Sequence, residues 1–266
     1  MNRARSQASG YAIAMLVACS APAVVAEETV SFDPQHNPQT QQLADELAEQ
    51  GVPNAWLEQA LAQASYRQEV LDAMAGAAER RLRWFEYRDI FLTEQRIDEG
   101  AAFMKAHADA LAHAESEYGV PPEVITAIMG VETYYGRHKG RHKVLDSLAT
   151  LAFHHPVRGD FFRGELAAFL TIAYQQEVAP ESLYGSYAGA MGYPQFIPTS
   201  YQAYAVDFDG DAKRDLWNNP VDAIGSVANY FAEHGWQRGG AIYHEAEGPE
   251  ELPEALSFNQ TVRPST

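Results

Sequence analysis

The run Val120-Pro121-Pro122-Glu123-Val124-Ile125-Thr126-Ala127-Ile128-Met129, followed by Gly130-Val131-Glu132-Thr133-Tyr134-Tyr135-Gly136-Arg137, constrains the fold more than any other stretch. It prescribes an apolar helix with a marked start and stop. Proline suits the first turn, Val124, Ile125, Ile128, Met129 and Val131 supply a buried face, and Gly136 makes a natural residue past the end. Glu132 then falls in the last turn. There the negative end of the helix dipole and the apolar neighbours both disfavour its ionised form, raising its pKa as a general acid near neutral pH requires. Many last-turn glutamates are simply solvated, and this helix alone leaves both readings open.

Helical periodicity dominates the rest of the chain, and no β-rich alternation or internal repeat is visible. Leu43, Leu47 and Ala48 share one face of a helix ending near Gly51. Asn54 is placed to cap a second helix carrying Trp56, Leu57, Leu61 and Ala62, and a third contains Val70, Leu71 and Met74. Thr93 is expected to cap one long helix running through Ile97, Phe103, His107, Leu111 and Ala114 to Gly119. Further helices are expected from about Arg163 to Gln176 and from Asp222 to Glu233. The class is all-α with functional loops.

A net charge of −17 on 266 residues offers no basic stripe to phosphates and argues against a nucleic-acid partner. Arg3 and Arg5 precede an apolar stretch from Tyr11 to Ala18, too short to span a bilayer and suited to a signal peptide. Two processing sites compete: Val24-Val25-Ala26 fits ordinary cleavage, giving a signal peptide over 1–26, whereas Leu16-Val17-Ala18-Cys19 resembles a lipobox. The position of Cys19 right after the apolar run favours lipidation, which anchors a protein to a membrane without a transmembrane helix. Cys19 is the sole cysteine, so no intrachain disulfide is possible. Residues 27–38 read as a disordered tether, 39–240 as the catalytic region, and 241–266 as an acidic, proline-broken tail.

Two further stretches carry chemistry. Gly185-Ser186-Tyr187-Ala188-Gly189-Ala190-Met191-Gly192-Tyr193-Pro194-Gln195-Phe196-Ile197-Pro198-Thr199-Ser200-Tyr201 is a glycine-aromatic loop; Tyr187, Tyr193 and Phe196 offer faces for sugars, and Ser186 and Gln195 offer hydrogen bonds. By composition alone it is equally a structural turn. Asp207-Phe208-Asp209-Gly210-Asp211-Ala212-Lys213-Arg214-Asp215 spaces carboxylates as in positions 1, 3 and 5 of an EF-hand loop, with the Lys213 carbonyl at position 7 and Asp215 at position 9. Ala212 stands where glycine makes the sharp turn, and Asn218 where a glutamate closes the loop, so Asp222 is the better closing carboxylate. The alternative is an acidic surface turn, but crowded aspartates repel one another without a cation, which favours Ca²⁺. His138, His142, His154 and His155 lack the spacing of a helix-borne zinc site, and no nucleotide loop or nucleophile elbow is present. No organic cofactor is expected.

These signals, in this order, resemble the membrane-bound lytic murein transglycosylase B family. The resemblance covers roughly residues 40–240, including Glu86-Tyr87-Arg88, Leu145-Asp146-Ser147-Leu148-Ala149-Thr150-Leu151 and Pro220–Phe231. It implies a lysozyme-like catalytic core beside a helical flanking domain, with an elongated EF-hand-like calcium loop ending on Asp222. It implies cleavage of the β-1,4 bond between N-acetylmuramic acid and N-acetylglucosamine in peptidoglycan, leaving a 1,6-anhydromuramoyl end. Glu132 matches the catalytic glutamate. Tyr87, Arg158, Ser186, Gln195, Phe196 and Tyr230 match residues lining the glycan cleft, although Val157 replaces the arginine that accompanies Arg158. The metal set is Asp207, Asp209, Asp211, Lys213 and Asp222, with Ala212 and an extra residue at Asn218-Asn219 departing from the pattern.

The resemblance also explains how one carboxylate suffices where most glycosidases use two. Glu132 protonates the leaving oxygen and then accepts the proton of the muramoyl C6 hydroxyl, which closes onto C1. A muramidase using water, or a non-catalytic peptidoglycan- or calcium-binding remnant, are the other readings. A periplasmic, outer-membrane-anchored monomer acting on glycan strands is expected. The family carries a Tyr-Asn segment beyond the calcium loop that this chain lacks after Tyr230, so a C-terminally truncated product with an exposed apolar patch is expected.

Overall fold

In the computed structural model the described residues are 30–76, 82–243 and 245. The expected signal peptide, the Cys19 lipidation site and nearly all of the acidic tail lie outside them. Among the described residues there are eleven α-helices: α1 (Pro38–Glu49), α2 (Asn54–Ala62), α3 (Gln68–Gly76), α4 (Trp84–Phe91), α5 (Glu94–Ala106), α6 (Ala108–Tyr118), α7 (Pro122–Thr133), α8 (Val144–His154), α9 (Gly159–Gln175), α10 (Pro198–Tyr204) and α11 (Pro220–Glu233). Two-residue strands β1 (His142–Lys143) and β2 (Tyr184–Gly185) pair antiparallel, a small β element absent from the sequence reading.

The molecule is built around α8, in which every residue from Val144 to Ala152 is buried. Its polar residues, Asp146, Ser147 and Thr150, share one side, but that side is buried as well, so the stripe does not mark a solvent-facing surface. Helix α9 packs along it, α3 lies on another side, and α10 packs against α9. The polar residues of α8 are occupied accordingly. Asp146, 2% exposed, accepts from the Ser65 amide and from Arg67 Nε at 2.9 Å, while the Thr150 hydroxyl accepts from the Arg67 amide. These bonds tie the α2–α3 connection to the core. Buried Glu165 of α9 serves α10 in the same way, accepting from the Thr199 amide and hydroxyl at that helix's uncapped start.

Several expectations are corrected. The tether ends sooner than residue 38: Ser31 bridges Ser65, Phe32 is buried against Phe153 and His154, and Asn37 caps α1 by accepting from the Gln39 and Thr40 amides. Asn54 is the first helical residue of α2, and Pro53 holds the cap position without a side-chain bond. The long helix from Thr93 to Gly119 is two helices broken at His107, whose φ of −118° is not helical. The halves have different partners, α5 packing on α7 and α6 on both α7 and α11, and Ile97 points to solvent. Helix α11 begins at Pro220 rather than Asp222.

Helix α7 ends earlier than a stop at Gly136 requires. Ile125 and Met129 are fully buried, while Val131 is exposed. Tyr134, Tyr135 and Gly136 take φ values of 53°, 57° and 88°, three left-handed residues in succession. Such geometry costs a non-glycine residue about 1 kcal/mol or more. What holds it is the Tyr135 side chain. Its hydroxyl donates to the Arg96 carbonyl at 2.9 Å, and its ring stacks on Phe103. The same ring lies against Gly130 so closely that a Cβ there would stand 2.7 Å from its oxygen. The Gly130→Ala variant should therefore unfold about 1–3 kcal/mol more easily than the parent. Urea titration followed by far-UV circular dichroism measures this, and an unchanged midpoint would refute the packing argument.

Candidate functional site

The last turn of α7 points Glu132 into an open groove of about 270 Å³. The opposite wall comes from Pro194, Gln195, Phe196 and Ile197 of the glycine-aromatic loop and from Tyr230 of α11, with Ile128 and Val227 deeper in. The Thr133 hydroxyl fastens α7 to that loop by donating to the Tyr193 carbonyl at 2.9 Å and accepting from the Gly136 amide. The loop folds back on itself: Met191 bridges both Gly185 and Phe196, and the Ser186 hydroxyl accepts from the Ala188 and Ala190 amides. Gln195 sits at φ 51°, its amide donating to the Gly192 carbonyl at 2.9 Å and toward that of Lys139. Strain of this kind, over-determined by its surroundings, is characteristic of ligand-contacting backbone.

Glu132 is the one carboxylate among the described residues lining the groove. Its side chain is accessible from the open mouth, yet the protein packed around it desolvates the charge, and desolvation alone raises its pKa above the usual 4.5. Around it are rings rather than charges. Phe196 and Tyr230 lie 5.5 Å apart, and Tyr230 also stacks on His234 at 4.0 Å. An acid beside flat apolar faces suits a sugar whose leaving oxygen must be protonated.

The structure thus brings together Glu132, Gln195, Phe196 and Tyr230. The other three expected cleft residues lie outside the groove wall. Tyr87 is on α4, exposed, and packs on Trp84 and Phe91. Arg158 precedes α9 with its guanidinium over Phe161. Ser186 serves its own turn. Ser200 and Ile197 of the wall fall within the Gly185–Tyr201 loop, and Phe231 within the Pro220–Phe231 segment, but the sequence reading assigned none of the three a role of its own.

In the aspartate loop, ligand atoms of Asp207, Asp209 and Asp211 lie within 4.8 Å of one another and all three residues are exposed. Asp207 accepts from the Gly210, Asp211 and Ala212 amides, Asp211 from the Lys213 amide, and Asp209 from Asn219 Nδ2. Three hard oxygen donors on a preformed turn fit a calcium ion. Asp222, expected as the closing ligand, is outside this group. It is fully buried, and its two oxygens accept from the Phe208 and Asp215 amides, both at 2.8 Å, clasping the ends of the loop. Burial raises its pKa, and Asp209 and Asp207 add to the rise. Ala212 stands at φ 71°, where glycine carries no steric penalty.

Two outcomes follow from this geometry. Ala212→Gly should stabilise the protein by about 1 kcal/mol, seen as a raised thermal midpoint in chelator. For Glu132, a folded pKa above the unfolded one means that the unfolded state loses its proton first as pH rises. The ionised carboxylate therefore opposes folding at neutral pH and not below its usual pKa of 4.5. Glu132→Gln should melt higher than the parent at pH 7 and at the same temperature at pH 4; the reverse order would show that the carboxylate is not desolvated.

Comparison with known proteins agrees with the site. A family model described as "Transglycosylase SLT domain" matches residues 35–266. The membrane-bound lytic murein transglycosylase B of Escherichia coli (strain K12) is 44% identical over 223 residues, covering 80% of this chain and 62% of its own. This chain therefore spans less than two thirds of that relative's length. The crystal structure of the E. coli lytic transglycosylase Slt35 in complex with calcium matches with a TM-score of 0.73 at 45% identity, over 80% of this chain and 68% of that one. SltB3 from Pseudomonas aeruginosa, in complex with NAG-NAM-pentapeptide, matches with a TM-score of 0.73 at 35% identity, over 79% and 55% of the two chains. The helical, lysozyme-like architecture, the groove and the sequence agree: this chain belongs to the SLT-domain lytic transglycosylase family.

Proposed function

We propose that the chain cleaves the β-1,4 bond between N-acetylmuramic acid and N-acetylglucosamine in peptidoglycan without consuming water. The observation that carries this reading is a single desolvated carboxylate facing an aromatic wall. Protonated Glu132 donates its proton to the glycosidic oxygen as the C1–O bond breaks, and the N-acetyl group of the muramoyl residue stabilises the charge developing at C1. The Glu132 carboxylate then removes the proton from the C6 hydroxyl of that residue while O6 bonds to C1. The acid is regenerated, and the products are a free 4-hydroxyl and a 1,6-anhydro ring. The raised pKa keeps more Glu132 in the donating form than an ordinary glutamate would be at the same pH. Phe196 and Tyr230 seat the sugars, and Gln195 supplies an amide beside them.

Calcium is proposed as a structural ion on Asp207, Asp209 and Asp211, with the Lys213 carbonyl proposed as a further ligand and Asp222 holding the ends of the loop by their backbone amides. It supplies charge neutralisation in the loop and takes no part in the reaction. For location we propose the periplasmic face of the outer membrane through a lipid on Cys19; no helix among the described residues is long and apolar enough to cross a membrane.

Purified murein sacculi incubated with the protein should release muropeptides with anhydromuramoyl ends, identified by mass. Reducing ends would instead show that water attacks, and no release would make the chain a binding remnant. Glu132→Gln should lower release at least about a thousandfold, and activity at the parental level would remove Glu132 from the mechanism. Adding Ca²⁺ should raise the thermal midpoint relative to chelator; equal midpoints would exclude a structural ion.

A further inference from the structure

A second pocket, of about 270 Å³, lies away from Glu132 at the start of α8, beside the β1–β2 pair. Arg67, Arg141 and Lys143 line it against two carboxylates, Asp146 and Glu69. Asp146 is already spent: Ser65 and Arg67 occupy both of its oxygens. Arg141 and Lys143 have no ion-pair partner among the described residues, although the chain as a whole carries a net charge of −17. The start of α8 adds to this positive potential, because its first turn has no side-chain cap, although the Val144 amide is taken by the Leu183 carbonyl.

Ser147 supplies the second observation. It lines the same pocket, is 0% exposed, and its hydroxyl has no hydrogen-bond partner. Buried hydroxyls without partners are rare and costly, and a donor left open beside two unpaired cations fits an anionic oxygen that arrives from outside. The pocket is also joined to the glycan groove by backbone. Tyr184, on its rim, begins β2, which continues through Gly185 into the Ser186–Phe196 loop, and His142 of β1 packs edge-on against Tyr187 of that loop.

We propose that this pocket binds the terminal carboxylate of the peptide stem carried by the muramoyl residue, with Arg141 and Lys143 pairing the anion and Ser147 donating to it. The assignment to a peptide rests on the peptidoglycan reading above; the pocket's preference for an anion does not. A peptide of five extended residues reaches about 16–18 Å from its sugar, so a stem can leave the glycan groove and still be held by the same protein.

Isothermal titration of the full chain with a free stem pentapeptide, its C-terminal amide, and inorganic phosphate tests this. The acid should bind at least about tenfold more tightly than the amide and than phosphate. Arg141→Ala/Lys143→Ala should weaken the acid about tenfold or more. Ser147→Ala should weaken it several-fold without lowering the thermal midpoint, because it removes a hydroxyl that bonds nothing in the free protein. Equal affinity for acid and amide, tighter binding of phosphate, or parental affinity in both variants would each overturn the proposal. Anhydromuropeptide release with no peptide binding would overturn this inference alone. Peptide binding without release would instead overturn the catalytic reading.

Discussion

The contact on which the site depends is the Tyr135 ring closing over Gly130 and Gly100. It stabilises three consecutive left-handed residues, ends α7 at Thr133, and so sets where Glu132 stands on its last turn. The same stop leaves the Thr133 hydroxyl free to reach the Tyr193 carbonyl, and the Arg96 guanidinium to reach the Gly130 carbonyl. Helix α5, helix α7 and the glycine-aromatic loop are thereby fixed to one another through a handful of atoms beside the carboxylate. Strain in the backbone is offset by packing that requires glycine at two positions on two helices.

Around this joint the electrostatics are spare. Glu132 has no cation to lower its pKa, and its neighbours in the groove are rings, proline, aliphatic groups and the uncharged Gln195 and Ser200. Charge is concentrated elsewhere, in the aspartate loop and in the basic pocket at the start of α8. That separation lets a carboxylate keep its proton longer without neighbouring ions competing for it. It also makes the folded state bear the desolvation of one charge at neutral pH, which is the ordinary relation between an active group and stability.

Much of this was legible before any coordinates. Leu43, Leu47 and Leu57 lie on amphipathic helices where their spacing put them, and Thr93 caps its helix by accepting from the Arg96 amide. Glu132, Gln195, Phe196 and Tyr230 do share one groove. What escaped has physical causes. Helix α8 is buried all round, so the polar side formed by Asp146, Ser147 and Thr150 faces protein rather than water. The break at His107 arises because two halves of one periodic run pack on different neighbours, a tertiary fact that local propensity does not contain. The left-handed tyrosines were hidden because the eye goes to Gly136. Asp222 reads as a closing carboxylate by spacing, and only the structure shows how deeply it sits and that its oxygens accept amides at both ends of the loop.

Asp222 sits in the first turn of α11, and Tyr230 lies eight residues, about 12 Å, along the same helix. One end of this stiff rod is clasped to the aspartate loop by two hydrogen bonds, and the other forms a wall of the glycan groove. The loop and the groove therefore behave as the handle and blade of one tool. Any tilt at the clasped end is carried to the tyrosine, and the width of the cleft is a mechanical property of a helix whose anchorage lies at its far end.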